Sequence, residues 1–325
     1  MHWRSKGEKM SKELRSTRPQ AEASGILRVA STGFRHPSRP RDSIARPVLI
    51  GILLLFLLLP CCNISREDPA AGLVAFVSIP PQEYFVERIA GQRVETHTLV
   101  EAGRSPHSYS PTPSQMARLS EARVFFRIGV EFEETLIPRL RSSVPDLHIV
   151  DLRRGIALRS VDKRDDHDHG AHGTEGADPH IWLSPILVKK LSRTIRDELI
   201  ALDSSGADEY RQNYDAFARD LDSIHAELRR VLEPVKGKEF FVFHGAFGYF
   251  ADTYGLEQVA VEMGGKKPGA RRLAGLVDKA KRRNIRVVFV QPQFSPVSAE
   301  ALAEEIGGAV VPIDPLARDY LANLR

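Results

Sequence analysis

The sequence predicts an α/β fold of two parallel-sheet βα lobes joined by one long rigid α-helix. Three observations predict it. Short apolar runs alternate with amphipathic stretches, β then α, in both halves of the 325-residue chain. One stretch, 207–233, repeats its apolar residues at four-three spacing over more turns than any other. Prolines and glycines close these units at short, regular intervals.

The bulk numbers agree. A chain of this length can build two cores, and 42% apolar with 27% charged residues is ordinary for a globular protein. A sequence pI near 9.1 invites a nucleic-acid reading, which the charge distribution removes. Residues 1–47 hold eleven Lys and Arg against four acids, a net of +7; with +4 over the whole chain, residues 48–325 carry −3. The folded part is mildly acidic, so no nucleic-acid partner is expected.

Residues 1–62 read as a basic leader and a lipoprotein-type signal segment. The run VLIGILLLFLLL at 48–59 is short of the roughly 20 residues that cross a bilayer, but suits the apolar segment of a secretory signal. Cys61 and Cys62, the only cysteines, follow it after Pro60. Cysteine there resembles a bacterial lipoprotein signal, with either residue as the lipidated one, although Pro60 stands where a small residue is usual. A short membrane anchor or an uncleaved signal is the alternative, and a start at Met10 or later would shorten the leader. The expected location is extracytoplasmic: periplasmic, or lipid-anchored to the membrane surface. Neighbouring cysteines are poor partners for each other, so no structural disulfide is expected.

The N-terminal lobe is assigned to 63–206. Residues 73–78 (LVAFVS) read as a buried parallel strand. A helix at 81–90 is closed by Gly91, and a strand at 93–100 leads into the loop GRSPHSYSPTPSQ at 103–115. There Pro106 and Pro111, which resist helix interiors, set the direction of His107. A short helix at 113–122 and strands at 123–128 and 147–152 complete the sheet. Residues 161–177 (VDKRDDHDHGAHGTEGA) have no apolar period and read as a solvated loop. Its His-rich part, 163–173, carries His167, His169 and His172, either as a polar insertion or as a weak metal collector. A helix at 184–202 shows apolar residues at helical spacing.

After a turn at 204–206 comes the linking helix, 207–233, with Tyr210, Tyr214, Phe217, Leu221, Ile224, Leu228 and Val231 on one stripe and Pro234 as its stop. At 1.5 Å per residue it spans roughly 40 Å, which suits a strut between lobes; His225 on it reads as a packing or surface residue. The C-terminal lobe, 234–325, repeats the first pattern. Strands are expected at 239–243, 256–263, 287–290 and 309–313, and helices at 249–254, 271–283 and 298–306. The final helix is expected to be short.

Four metal-capable side chains fall at the ends of these apolar runs: His107, His180 in DPHIWLSP, His244 closing EFFVFHG, and Asp314 in PIDPLARDY. Taken singly each has a plainer reading. A histidine ending a strand is more often a core residue, His180 beside Trp182 could simply pack, and an aspartate before proline is more often a turn or cap residue. Jointly they stand on one side of two similar lobes, where parallel sheets collect ligands. Three imidazoles and a carboxylate make a tetrahedral donor set for Zn²⁺, with the site in the inter-lobe cleft. Each histidine should donate its other ring nitrogen to a carboxylate or carbonyl, with Asp178 and nearby backbone as expected partners.

The segments SIPPQEYFVERIAGQRV, GRSPHSYSPTPSQ, DPHIWLSP, FVFHGAFGYFADTYGL, VVFVQPQFSP and IDPLARDY together resemble the metal-binding proteins of bacterial zinc and manganese ABC importers. The resemblance runs from about residue 73 to the C-terminus. It implies that His107, His180, His244 and Asp314 are the ligands, and that 167–172 is a short form of the family's His-rich loop. It also implies capture outside the cytoplasmic membrane and delivery to a membrane permease of an ABC importer. The manganese branch resembles this but carries glutamate at the third position, so His244 favours zinc over Mn²⁺ or Fe²⁺. Lys267 and Gly269 depart from the family, which often has glutamate and serine there. The expected protein is a monomeric binding protein and not an enzyme. The alternatives are a manganese- or iron-binding homologue, a surface adhesin, or a zinc hydrolase in which Asp314 acts as base; HExxH spacing is absent.

Overall fold

The computed structural model describes residues 72–160, 176–262 and 268–325. The leader with Cys61 and Cys62, the loop histidines His167, His169 and His172, and Lys267 lie outside the described residues. Among the described residues, no helix is long and apolar enough to cross a membrane.

Two four-stranded parallel sheets form the frame, as the alternation predicts. The first contains β1 (Leu73–Val77), β2 (Val94–Thr98), β3 (Val124–Arg127) and β4 (His148–Asp151), in the order β2-β1-β3-β4. Around it run α1 (Pro80–Ala90), α2 (Pro113–Leu119), α3 (Glu133–Ser143) and α4 (Pro185–Leu202). Then comes the long α5 (Ala207–Leu232). The second sheet repeats the order with β5 (Glu239–Val242), β6 (Glu257–Ala260), β7 (Val287–Val290) and β8 (Ala309–Pro312), as β6-β5-β7-β8. Its helices are α6 (Gly248–Tyr254), α7 (Ala270–Arg283), α8 (Val297–Glu305) and the short α9 (Tyr320–Leu324). Helix α3, which carries Pro138 inside it, has no counterpart in the sequence expectation.

Strand alternation divides the second sheet's side chains between two cores. Phe241, Val259 and Val288 pack with Leu276 of α7 and Leu302 of α8. Val242, one residue along β5, joins the larger core of the first lobe with Phe76, Phe125 and Trp182. The stripe of α5 is buried at Tyr210, Tyr214, Phe217, Leu221, Ile224 and Leu228, against α1 and α4. Each such side chain contributes roughly 1.5–3 kcal/mol. Val231, expected on the same stripe, is 55% exposed at the helix's last turn. His225 packs as expected, its Nδ1 3.2 Å from the Tyr254 hydroxyl.

Hydrogen bonds fasten the second lobe to the first beside the cleft. The Trp182 indole N–H donates to the Pro315 carbonyl at 2.7 Å, the Tyr249 hydroxyl donates to the Asp178 carbonyl at 2.9 Å, and Arg318 pairs with Glu87 at 2.6 Å.

Candidate metal centre

Both sheets point the carboxyl ends of their strands at one pocket. His107 follows β2 in a 3-10 turn, Pro106–Ser108, where its backbone N–H donates to Ser105 Oγ at 3.3 Å. His180 precedes the 3-10 turn Ile181–Leu183 that leads into α4. His244 stands just beyond β5, its main chain held by Gln291 beyond β7. The Gln291 amide accepts from His244 N at 3.0 Å and donates to His244 O at 2.7 Å.

The three imidazoles meet. His107 Nε2 lies 3.1 Å from His244 Nε2, which lies 3.3 Å from His180 Nε2. Each outer nitrogen faces a carboxylate: His244 Nδ1 with Glu262 at 2.6 Å, His180 Nδ1 with Asp178 at 2.8 Å, and His107 Nδ1 with Glu131 at 3.3 Å. A carboxylate can only accept, so these partners assign the ring protons to Nδ1 and leave lone pairs on Nε2. Burial lowers the His244 pKa, as does the His180 imidazole, against the opposing pull of Glu262. Burial, then the His244 imidazole, likewise holds His107 below its ordinary value. Neutral imidazoles are the form that binds metal.

Lone pairs facing one another at such distances do not hydrogen-bond; they converge on a point suited to a cation. The spacing fits one ion. With Zn–N bonds of about 2.0–2.1 Å and tetrahedral angles, adjacent nitrogens stand about 3.3–3.4 Å apart. The cavity beside them, about 30 Å³, is bounded by Trp182, Phe294 and Leu316. The Phe294 ring packs against His244 at 4.9 Å between centroids, and Trp182 against His180 at 5.0 Å, both tilted.

Asp314, the fourth residue the sequence points to, is not in this group. Among the described residues, the donors lying within 4.8 Å of one another are those of His107, His180 and His244. Asp314 Oδ1 accepts from the Gln293 amide at 2.8 Å and from Leu316 N at 2.9 Å. Here it accepts these bonds at the end of β8, next to the pocket wall formed by Gln293 and Leu316. The sequence reading missed Glu131, Glu262 and Gln291. Gln291 carries the signal that flagged the histidines, a polar residue just past an apolar strand-like run, and Glu131 follows such a run by three residues.

A family model described as zinc-uptake complex component A, periplasmic, matches residues 76–325. The zinc-binding lipoprotein AdcA of Streptococcus pneumoniae strain R6 is 29% identical over 276 residues, covering 83% of this chain and 54% of that protein. The chain thus spans about half the length of that relative. The high-affinity zinc uptake system protein ZnuA of Bacillus subtilis is 31% identical over 275 residues, covering 80% of this chain and 85% of that one. A crystal structure of ZnuA superposes with a TM-score of 0.72 at 40% identity, over 78% of this chain and 95% of that chain. Two matching lobes, the pocket between them and these likenesses lead to one conclusion: the chain belongs to the periplasmic zinc-uptake component A family.

Proposed function

We propose that this chain captures Zn²⁺ outside the cytoplasmic membrane and delivers it, as a monomer, to the membrane permease of an ABC importer. His107, His180 and His244 supply the nitrogen donors and Asp314 the fourth, with Cys61 or Cys62 as a lipid anchor. The observation that carries the reading is the convergence of three Nε2 atoms backed by three carboxylates. Nitrogen-rich sets suit zinc, whereas oxygen-rich ones suit manganese. The names of the relatives support the same cation. The hydrogen bond from Gln293 to Asp314 supports the fourth assignment, because Gln293 also walls the pocket. The task is binding and handover, without a catalytic step.

Calorimetric titration of untagged protein tests it. One tight Zn²⁺ site is expected. Apparent zinc-binding free energies of about 10–16 kcal/mol over four ligands give roughly 3 kcal/mol per ligand. His107→Ala and His244→Ala should each weaken binding by about 100-fold or more. Unchanged binding in both variants would sink the proposal.

A further inference from the structure

Taking zinc capture by the three histidines as proposed above, we infer that the site opens at His107, and that Glu131 is the positioning residue that sets how fast the metal leaves. Four independent gradations run the same way. The His107 side chain is 35% exposed against 11% for His180 and for His244. Its carboxylate partner Glu131 is 61% exposed, whereas Asp178 and Glu262 are 8% and 4% exposed. The carboxylate bond is longest at His107, 3.3 Å against 2.8 and 2.6 Å. The main chain of His107 is held by one 3.3 Å bond to Ser105 Oγ. His180 N donates to Asp178 at 2.9 Å, and Gln291 grips both main-chain groups of His244.

The physical consequence concerns what each ligand leaves behind. If His244 swung away, the buried Glu262 would be stripped of its donor, and an unpaired buried charge is heavily disfavoured. If His180 did, buried Asp178 would lose its ring partner at 2.8 Å, although the Arg159 guanidinium also faces it at 3.8 Å. When His107 swings away, Glu131 stays in water and the imidazole moves toward water. Dissociation therefore begins at His107, and the strength of its outer bond decides how often it begins. His180, by contrast, is pinned by Asp178 and packed against Trp182.

The full chain loaded with Zn²⁺ is mixed with excess chelator and release is followed in time. Outer-shell substitutions typically cost 10–100-fold, and an exposed partner sits at the low end, so Glu131→Ala should release zinc about tenfold faster and Glu131→Gln about threefold faster. With Co²⁺ as probe, proton NMR should show one exchangeable ring N–H signal lost to solvent in Glu131→Ala while the other two persist, a change that a general loss of fold would not give. Release at the wild-type rate in both variants, or loss of all three signals together, would overturn the inference. A wild-type chain that takes up neither Zn²⁺ nor Co²⁺ would defeat the capture reading and this inference with it. Uptake with Glu131-independent release would defeat only the inference.

Discussion

Replacing Glu262 by glutamine should separate metal affinity from fold stability. Glu262 is 4% exposed, and its Oε1 accepts the Nδ1–H of His244 at 2.6 Å. Hydrogen bonds to a charged partner contribute about 1.5–3 kcal/mol, roughly twice the neutral kind. An amide of the same shape therefore loses about 1–1.5 kcal/mol of support for the imidazole, which is about five- to fifteenfold in zinc affinity. Stability without metal should move the other way. Glu262 Oε2 has no hydrogen-bond partner among the described residues, so a buried charge is only half satisfied, and neutralising it is stabilising by up to about 1 kcal/mol. Competition with a chromophoric chelator measures the first quantity, and thermal unfolding with and without Zn²⁺ the second. Zinc at 100 times its Kd adds about 2.7 kcal/mol to the wild type and correspondingly less to the variant at the same concentration. Unaltered affinity, or affinity and metal-free stability falling together, would refute the reasoning, because either would make Glu262 a packing residue.

Two further outcomes follow from other parts of the molecule. A Cβ at Gly248 would stand 2.9 Å from Asp178 Oδ2 and 2.9 Å from Arg159 Nε. Gly248→Ala should therefore displace the carboxylate behind His180 and weaken zinc binding several-fold, with a stability loss of about 1–3 kcal/mol, read by titration and urea unfolding; unchanged affinity would refute the contact. At the junction of α4 and α5, burial alone would raise the Asp203 pKa, but hydrogen bonds from Ser205, Tyr210 and Arg93 hold it at about 2. A folded-state pKa below the ordinary 3.8 stabilises the fold above about pH 4 and ceases to do so as pH falls through about 2, a change of about 1–2 kcal/mol. Urea midpoints between pH 5 and pH 2 should fall more steeply for wild type than for Asp203→Asn, and parallel curves would refute the assignment.

How far the sequence discloses these features depends on their range in the chain. His107, His180 and His244 were legible because each ends an apolar run, a local pattern. Asp178 was legible as a partner because it lies two residues from His180. Glu131 and Glu262 lie 24 and 18 residues from the rings they support, and only the sheet order brings them there. The two lobes and α5 were legible from period alone. Helix α3, with Pro138 inside it, was not read from the sequence, although Leu136, Ile137 and Leu140 are buried. The plainer reading of Asp314, a turn acceptor before proline, describes its present hydrogen bonds, and no residue pattern distinguishes that use from ligation.

The placement of buried polarity explains why this pocket is stiff everywhere except its edge. Of the twelve buried polar or charged residues among those described, nine belong to or hydrogen-bond to the segments that follow strands or carry the histidines: Ser78, Gln82, Gln115, Glu133, Asp178, His180, His244, Glu262 and Gln291. Gln82 ties β1 to β3, accepting from Ser78 N at 3.0 Å and donating to the Phe126 carbonyl at 2.8 Å. Glu133, its pKa raised by burial, accepts from Ser78 Oγ, Ile128 N and Gly129 N, and so fixes the loop that carries Glu131. Gln115 donates to the Leu99 carbonyl and accepts from Tyr109 and Thr112, closing the loop that carries His107. Each such group would be destabilising by about 1–3 kcal/mol if left unpaired. A chain that needed only a core would have placed apolar side chains there. These residues instead hold the ligand-bearing loops of each lobe in place, so moving those loops within a lobe would leave buried groups unpaired. The freedom needed to give up an ion is left to the one imidazole whose partner is already in water.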